Sequence, residues 1–128
     1  MGAVRLLLAD DNSVVLEMIA ELLQPEFAVV AALSSGKDVL EQWRPAKPDI
    51  MVLDISLGDM TGFDVARRLQ RAGCKAKIIF LTVHESTQFV RAAFDLEAAG
   101  YVFKSRIDPD LTEAIRSVSA GKRFSSAA

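Results

Sequence analysis

The stretch VRLLLADDN, Val4 to Asn12, is a short apolar run that stops at two adjacent carboxylates, Asp10 and Asp11. An apolar run without polar alternation reads as a strand covered on both faces, as in a parallel sheet. Side-by-side carboxylates repel one another, so their place at a strand end asks for a partner of opposite charge.

The same pattern recurs along the chain. Asn12 or Ser13 caps a first helix, in which Val15, Met18, Ile19, Leu22 and Leu23 recur at helical spacing and are expected inward, with Pro25 ending it. A second strand is expected over Phe27 to Leu33, and a short helix over Gly36 to Trp43, closed by Pro45 and Pro48. A third strand, Asp49 to Asp54, again ends in a carboxylate, and a helix runs from Gly62 to Ala72 with Val65, Ala66 and Leu69 inward. A fourth strand over Lys77 to Thr82 precedes a helix over Ser86 to Leu96, with Phe89, Val90, Ala93 and Phe94 inward. A fifth strand spans Gly100 to Lys104. Asp108 caps the last helix, Pro109 fills its first turn, and Leu111, Ile115 and Val118 face inward. Five strand–helix units predict an α/β fold, a doubly wound parallel sheet with helices on both faces and right-handed crossovers. Residues 1–122 are expected to form one domain, and residues 123–128 a loose tail that begins a linker.

The totals agree. The 128 residues suit one domain, and 51% hydrophobic with 25% charged residues describes a chain with a full core rather than a disordered one. The net charge of -2 and the lack of a basic tract argue against nucleic-acid contact by this domain. A lone cysteine, Cys74, cannot form an internal disulfide; with no signal-type start and no apolar run long enough for a membrane span, a cytoplasmic domain is expected. Trp43 reads as packing at a helix end.

Polar residues end four of the five strands: Asp10 and Asp11, Asp54, Thr82 and Lys104. In open α/β sheets the ligand crevice lies beyond the carboxyl ends of the strands. Three carboxylates there suit a hard divalent cation such as Mg²⁺, and a lysine with a hydroxyl suits a phosphoryl group. In order and spacing these motifs resemble the response-regulator receiver domain, the CheY-like family: "ADD" after the first strand, "VLDISLGDMTG" around Asp54, "FLT" ending in Thr82 and "GYVFK" ending in Lys104. The resemblance covers residues 4 to about 120 and is nearest to receivers of the NarL/LuxR type.

That resemblance implies a flavodoxin-like strand order 2-1-3-4-5. It implies Asp54 as phosphoacceptor, Asp11 as a direct Mg²⁺ ligand, Asp10 as an acidic partner acting through water, and the Ser56 backbone carbonyl as a further ligand. Thr82 would hydrogen-bond the phosphoryl oxygens and Lys104 would pair with them. Tyr101 falls at the switch aromatic; its ring is expected outward or mixed without a phosphoryl group and inward with one. Ser56, Val83 and His84 are expected to modulate rate, His84 as a solvated loop residue rather than a metal ligand. The chain departs from the family pattern at Leu57-Gly58, where Met-Pro is usual, at Ser105, where proline usually follows the lysine, and at Val83, where a small residue is usual. Gly58 is expected to loosen its loop. A cis Lys104–Ser105 bond would cost ~3 kcal/mol.

The function implied is a phosphoacceptor switch in two-component signalling, with a sensor histidine kinase as donor and a homodimer on phosphorylation. It would be no turnover enzyme, catalysing only its own phosphoryl transfer and slow self-dephosphorylation. NarL/LuxR-type receivers continue into a helix-turn-helix domain; none follows in this sequence, so a receiver piece or a stand-alone regulator is expected, with DNA reached only through such a domain. One alternative is a receiver-fold interaction module that works without phosphorylation. Another is an aspartyl-phosphate hydrolase of the haloacid dehalogenase type, but that class wants a second acid two residues after the nucleophile, where this chain has Ser56.

Overall fold

The computed structural model describes residues 2–127; Met1 and Ala128, the outer ends of the expected domain and tail, lie outside the described residues. Strands and helices alternate as β1 (Arg5–Ala9), α1 (Ser13–Leu23), β2 (Ala28–Leu33), α2 (Gly36–Ala46), β3 (Ile50–Leu53), α3 (Gly62–Arg71), β4 (Lys77–Thr82), α4 (Thr87–Asp95), β5 (Gly100–Phe103), α5 (Thr112–Ser119) and β6 (Phe124–Ser125). All strand pairs are parallel and the order is β2-β1-β3-β4-β5-β6.

Side-chain alternation divides the core in two. Leu7, Leu53, Phe80 and Tyr101 face α2, α3 and α4, packing with Val39, Val65, Leu69 and Ala93. Leu6, Leu8, Val52, Ile79 and Val102 face α1 and α5, packing with Leu16, Ile19, Leu23, Leu111, Ile115 and Val118. Both faces are covered, which is why the strands read as unbroken apolar runs.

Among the described residues the sheet has six strands, not five. The tail read as loose adds β6 to the β5 edge: Phe124 N–H donates to Ala99 O at 3.1 Å and Ser126 N–H to Tyr101 O at 2.9 Å. A polar clasp secures it. Ser126 Oγ accepts from Phe103 N–H at 3.1 Å and donates to Asp110 Oδ2 at 2.7 Å, and Arg106 Nε donates to the same oxygen at 2.8 Å.

Three other expectations are corrected. On α1, Met18 and Leu22 are 47% and 38% exposed, while Leu16 takes the inward place. The helix carries two apolar stripes, and only the one at Leu16, Ile19 and Leu23 meets the sheet. Second, α2 runs through Pro45 to Ala46. Proline removes one helical bond in the last turn, but Arg5 reaches across to cap that end, donating to Ala46 O at 2.6 Å and Lys47 O at 3.0 Å. Third, β5 ends at Phe103. Lys104–Arg106 form a 3-10 turn and Ile107–Leu111 a π-helical turn leading directly into α5. The backbone is coiled from Lys104 onward, so no free helix start remains at Asp108, which caps nothing; α5 has no side-chain cap. All peptide bonds among the described residues are trans, Lys104–Ser105 included.

Candidate functional site

Pairing of β1 with β3 sets Ala9 opposite Leu53, so the residues that follow, Asp10 and Asp54, lie side by side beyond the sheet. Their backbones stay tied to it: Asp10 N–H donates to Leu33 O at 3.1 Å and Asp54 N–H to Ala9 O at 3.0 Å. Both are buried, 1% and 4% exposed. Asp11 is exposed beside them, and one carboxylate oxygen from each of the three lies within 4.8 Å of the other two. Asn12 takes the N-cap of α1, its side chain accepting from Val14 and Val15 N–H. That start aims Asp11 at the site rather than at the helix.

Lys104 reaches in from the end of β5. Its Nζ donates to Asp54 Oδ2 at 2.9 Å and lies 2.7 Å from Asp10 Oδ2. Burial opposes the charge on Lys104, but the carboxylates of Asp10 and Asp54 outweigh it and hold the lysine above its ordinary pKa. At 2.7 Å the Asp10 contact is a close ion pair, and among the described residues no other polar group reaches that buried oxygen. Among the described residues Lys104 pairs with two of the three clustered carboxylates, Asp10 and Asp54, and Asp11 has no ion-pair partner. Three carboxylate oxygens crowded at this spacing, with one lysine against two of them, fit a hard divalent cation.

Thr82, fully buried at the end of β4, accepts from His84 N–H at 3.3 Å through Oγ1. Ser56 N–H donates to Asp54 Oδ1 at 3.2 Å, and Ser56 Oγ lies 3.4 Å from His84 Nε2. The imidazole stacks on Phe89, ring centres 4.2 Å apart, so His84 is half-buried against α4 rather than free in solvent. Val83 points outward, 65% exposed. Tyr101 is inward and fully buried, and its hydroxyl donates to His84 O at 2.6 Å. This is the position expected with a phosphoryl group, not the outward or mixed one expected without. Burial, then the negative charges of Asp54 and Glu85, push its pKa up to about 12.

Two contacts around the site escaped the sequence reading. Ser105, in the usual place of proline, donates from Oγ to Glu85 Oε2 at 2.8 Å and joins the loops after β4 and β5. Asp59 accepts from Gly36 and Lys37 N–H, both at 2.9 Å. Each joins residues far apart in sequence, and no local spacing announces either.

The chain belongs to the response regulator receiver domain family, whose model matches residues 6–116. It is 31% identical over 123 residues to the response regulator UvrY of Escherichia coli (strain K12), covering 94% of this chain and 56% of that protein. It is 30% identical over 123 residues to the transcriptional regulatory protein DesR of Bacillus subtilis (strain 168), covering 94% of this chain and 61% of that protein. The chain therefore spans little more than half the length of these relatives. Among solved structures it resembles a two-component response regulator of the LuxR family from Aurantimonas sp. SI85-9A1, with a TM-score of 0.90 and 32% identity, covering 96% of this chain and 89% of that one. Among the described residues no helix is long and apolar enough to cross a membrane.

Proposed function

We propose that Asp54 accepts a phosphoryl group from a sensor histidine kinase and that the modified site reshapes the surface which regulates an output, transcription as in DesR. The observation that carries this reading is the pairing of Lys104 with both Asp54 and Asp10 in a buried acidic crevice. A carboxylate is a nucleophile without losing a proton. Asp54 oxygen would bond to phosphorus while the bond from phosphorus to the histidine nitrogen breaks, leaving neutral imidazole once that nitrogen takes up a proton. Lys104 would neutralise charge gathering on the phosphoryl oxygens, and Thr82, freed from His84 N–H, would donate its hydroxyl to one of them. Catalysis here is positioning and electrostatics, limited to the domain's own modification and its slow reversal.

Asp10, Asp11, Asp54 and the Ser56 carbonyl would hold Mg²⁺, which when bound supplies positive charge beside the acceptor. The phosphoryl group adds roughly -1.5 to -2 charge. Thr82 and Tyr101 would pass that change to the face made by α4, β5 and α5, favouring a homodimer. Ser56, Val83 and His84 at the mouth would set the rates. DNA would be reached only through a further domain of the kind NarL/LuxR-type regulators carry.

Mass spectrometry with acetyl phosphate and Mg²⁺ tests the reading. One phosphoryl group should be gained by the native chain and none by Asp54→Ala. Equal labelling of the two would remove Asp54 from the role, and no labelling at all would favour the interaction module.

A further inference from the structure

The loop between β3 and α3, expected to be loosened by Gly58, is tied to the start of α2. Gly58 has φ of 82°, which a proline ring, fixed near -65°, cannot adopt. Its path therefore differs from one built on proline, and another residue holds it. Asp59 does so from one side. Each of its two carboxylate oxygens accepts a backbone N–H at 2.9 Å, from Gly36 and Lys37, the first two residues of α2. These donors have no partner within the helix, and the positive end of the helix dipole favours the carboxylate. The two N–H bonds hold the Asp59 carboxyl below its usual range. Met60 completes the seat: a Cβ on Gly36 would lie 2.8 Å from Met60 Sδ, so the loop rests on bare backbone.

Helix α2 does not need Asp59 for its ordinary cap. Ser35 already fills that place, its Oγ accepting from Asp38 N–H at 3.1 Å. The other side of the same loop faces the acidic crevice. Ser56 N–H contacts Asp54 Oδ1, Ser56 bridges to Thr61, and a Cβ on Gly58 would lie 3.8 Å from Asp11 Oδ2.

We propose that Asp59 is a positioning residue for cation binding: by tying the 56–60 loop to the start of α2, it holds the Ser56 carbonyl in place beside Asp11 and Asp54. The inference rests on the reading that these groups bind Mg²⁺. It makes cation binding and the order of the first turn of α2 thermodynamically linked, each strengthening the other.

The test is a titration with Mg²⁺ alone, followed by calorimetry and by the backbone amide signals of Gly36 and Lys37. Native protein, Asp59→Ala, Asp59→Asn and the control Asp64→Ala are compared; Asp64 lies in the first turn of α3 and pairs with Arg67. Asp59→Ala should weaken Mg²⁺ binding about 5-fold, the low end of typical coupling. Asp59→Asn keeps one acceptor oxygen and should fall between, and Asp64→Ala should match native. In native protein Mg²⁺ should shift the Gly36 and Lys37 amides and slow their exchange, a response lost in Asp59→Ala. Native affinity in both Asp59 variants, whatever their melting temperatures, would overturn the inference and leave Asp59 a plain helix-end contact. If Asp59→Ala does not fold, native affinity in Asp59→Asn alone overturns it. Native protein that binds no Mg²⁺ would overturn the cation reading and this inference with it.

Discussion

The Tyr101 hydroxyl donates a hydrogen bond to the backbone carbonyl oxygen of His84 at 2.6 Å. A side chain on β5 thereby fastens the loop that follows β4, the same loop whose His84 N–H rests on Thr82. The position of Thr82 and the burial of Tyr101 are parts of one arrangement.

Tyr101 is the chain's only tyrosine, so phenolate absorbance reports on it alone. It should titrate at about 12 rather than near 10. Between those values the folded protein keeps a proton that the unfolded chain releases, so stability should fall as pH rises through that window. Tyr101→Phe should flatten this alkaline loss. At neutral pH it should lower stability by about 1 kcal/mol, measured by denaturant unfolding. A tyrosine titrating near 10 would mean that the hydroxyl is not held inward in solution.

Lys104 is the only cation contacting the buried pair Asp10 and Asp54 among the described residues. Lys104→Met leaves two buried carboxylates facing each other. Stability without Mg²⁺ should drop by roughly 3–5 kcal/mol, as when one member of a buried ion pair is removed. Adding Mg²⁺ should restore part of it, because cation binding stabilises the folded state. Thermal melts with and without Mg²⁺ read both effects.

Among the described residues Asp11 is exposed and forms no ion pair, whereas Asp10 is buried against Lys104. The two alanine variants should separate. Asp11→Ala should cost the larger loss of Mg²⁺ affinity and leave stability within about 0.5 kcal/mol of native. Asp10→Ala should lose more stability and less affinity. Calorimetry showing undiminished Mg²⁺ affinity in Asp11→Ala would refute its part in the site.

Val83 directly follows Thr82 and is 65% exposed, and in the proposed reading it stands at the mouth of the crevice. Val83→Ala should speed phosphorylation by acetyl phosphate several-fold, about 1 kcal/mol in the barrier. An unchanged rate would show that its outward position leaves the donor's path clear.

Much of this was legible in the sequence because parallel strands announce themselves twice. Leu6 to Ala9 and Ile50 to Leu53 are unbroken apolar runs, and each is followed by an acid, Asp10 or Asp54, that is seldom buried without a charged partner. The limits are physical too. Helix α1 is apolar along Met18 and Leu22 as well as along Leu16 and Leu23, so spacing alone cannot choose the buried stripe. Pro45 signals a stop that the long-range cap from Arg5 overrides. β6 is two residues long, too short for any period, and it exists because β5 offers it an edge. Asp59 joins a helix start 23 residues earlier, a relation only the folded chain creates.

That edge carries a consequence for how the protein behaves in company. Gly100 to Phe103 are all buried, and the strand they form is apolar. Left bare, its N–H and C=O groups would be a template for a strand from another molecule. β6 covers them and presents instead a rim only two residues long, next to Lys122 and Arg123. Short and charged edges are what discourage sheet-to-sheet growth. A chain cut just before Phe124 would retain Asp10, Asp11, Asp54, Thr82 and Lys104, yet it should aggregate at concentrations where the full chain stays dispersed.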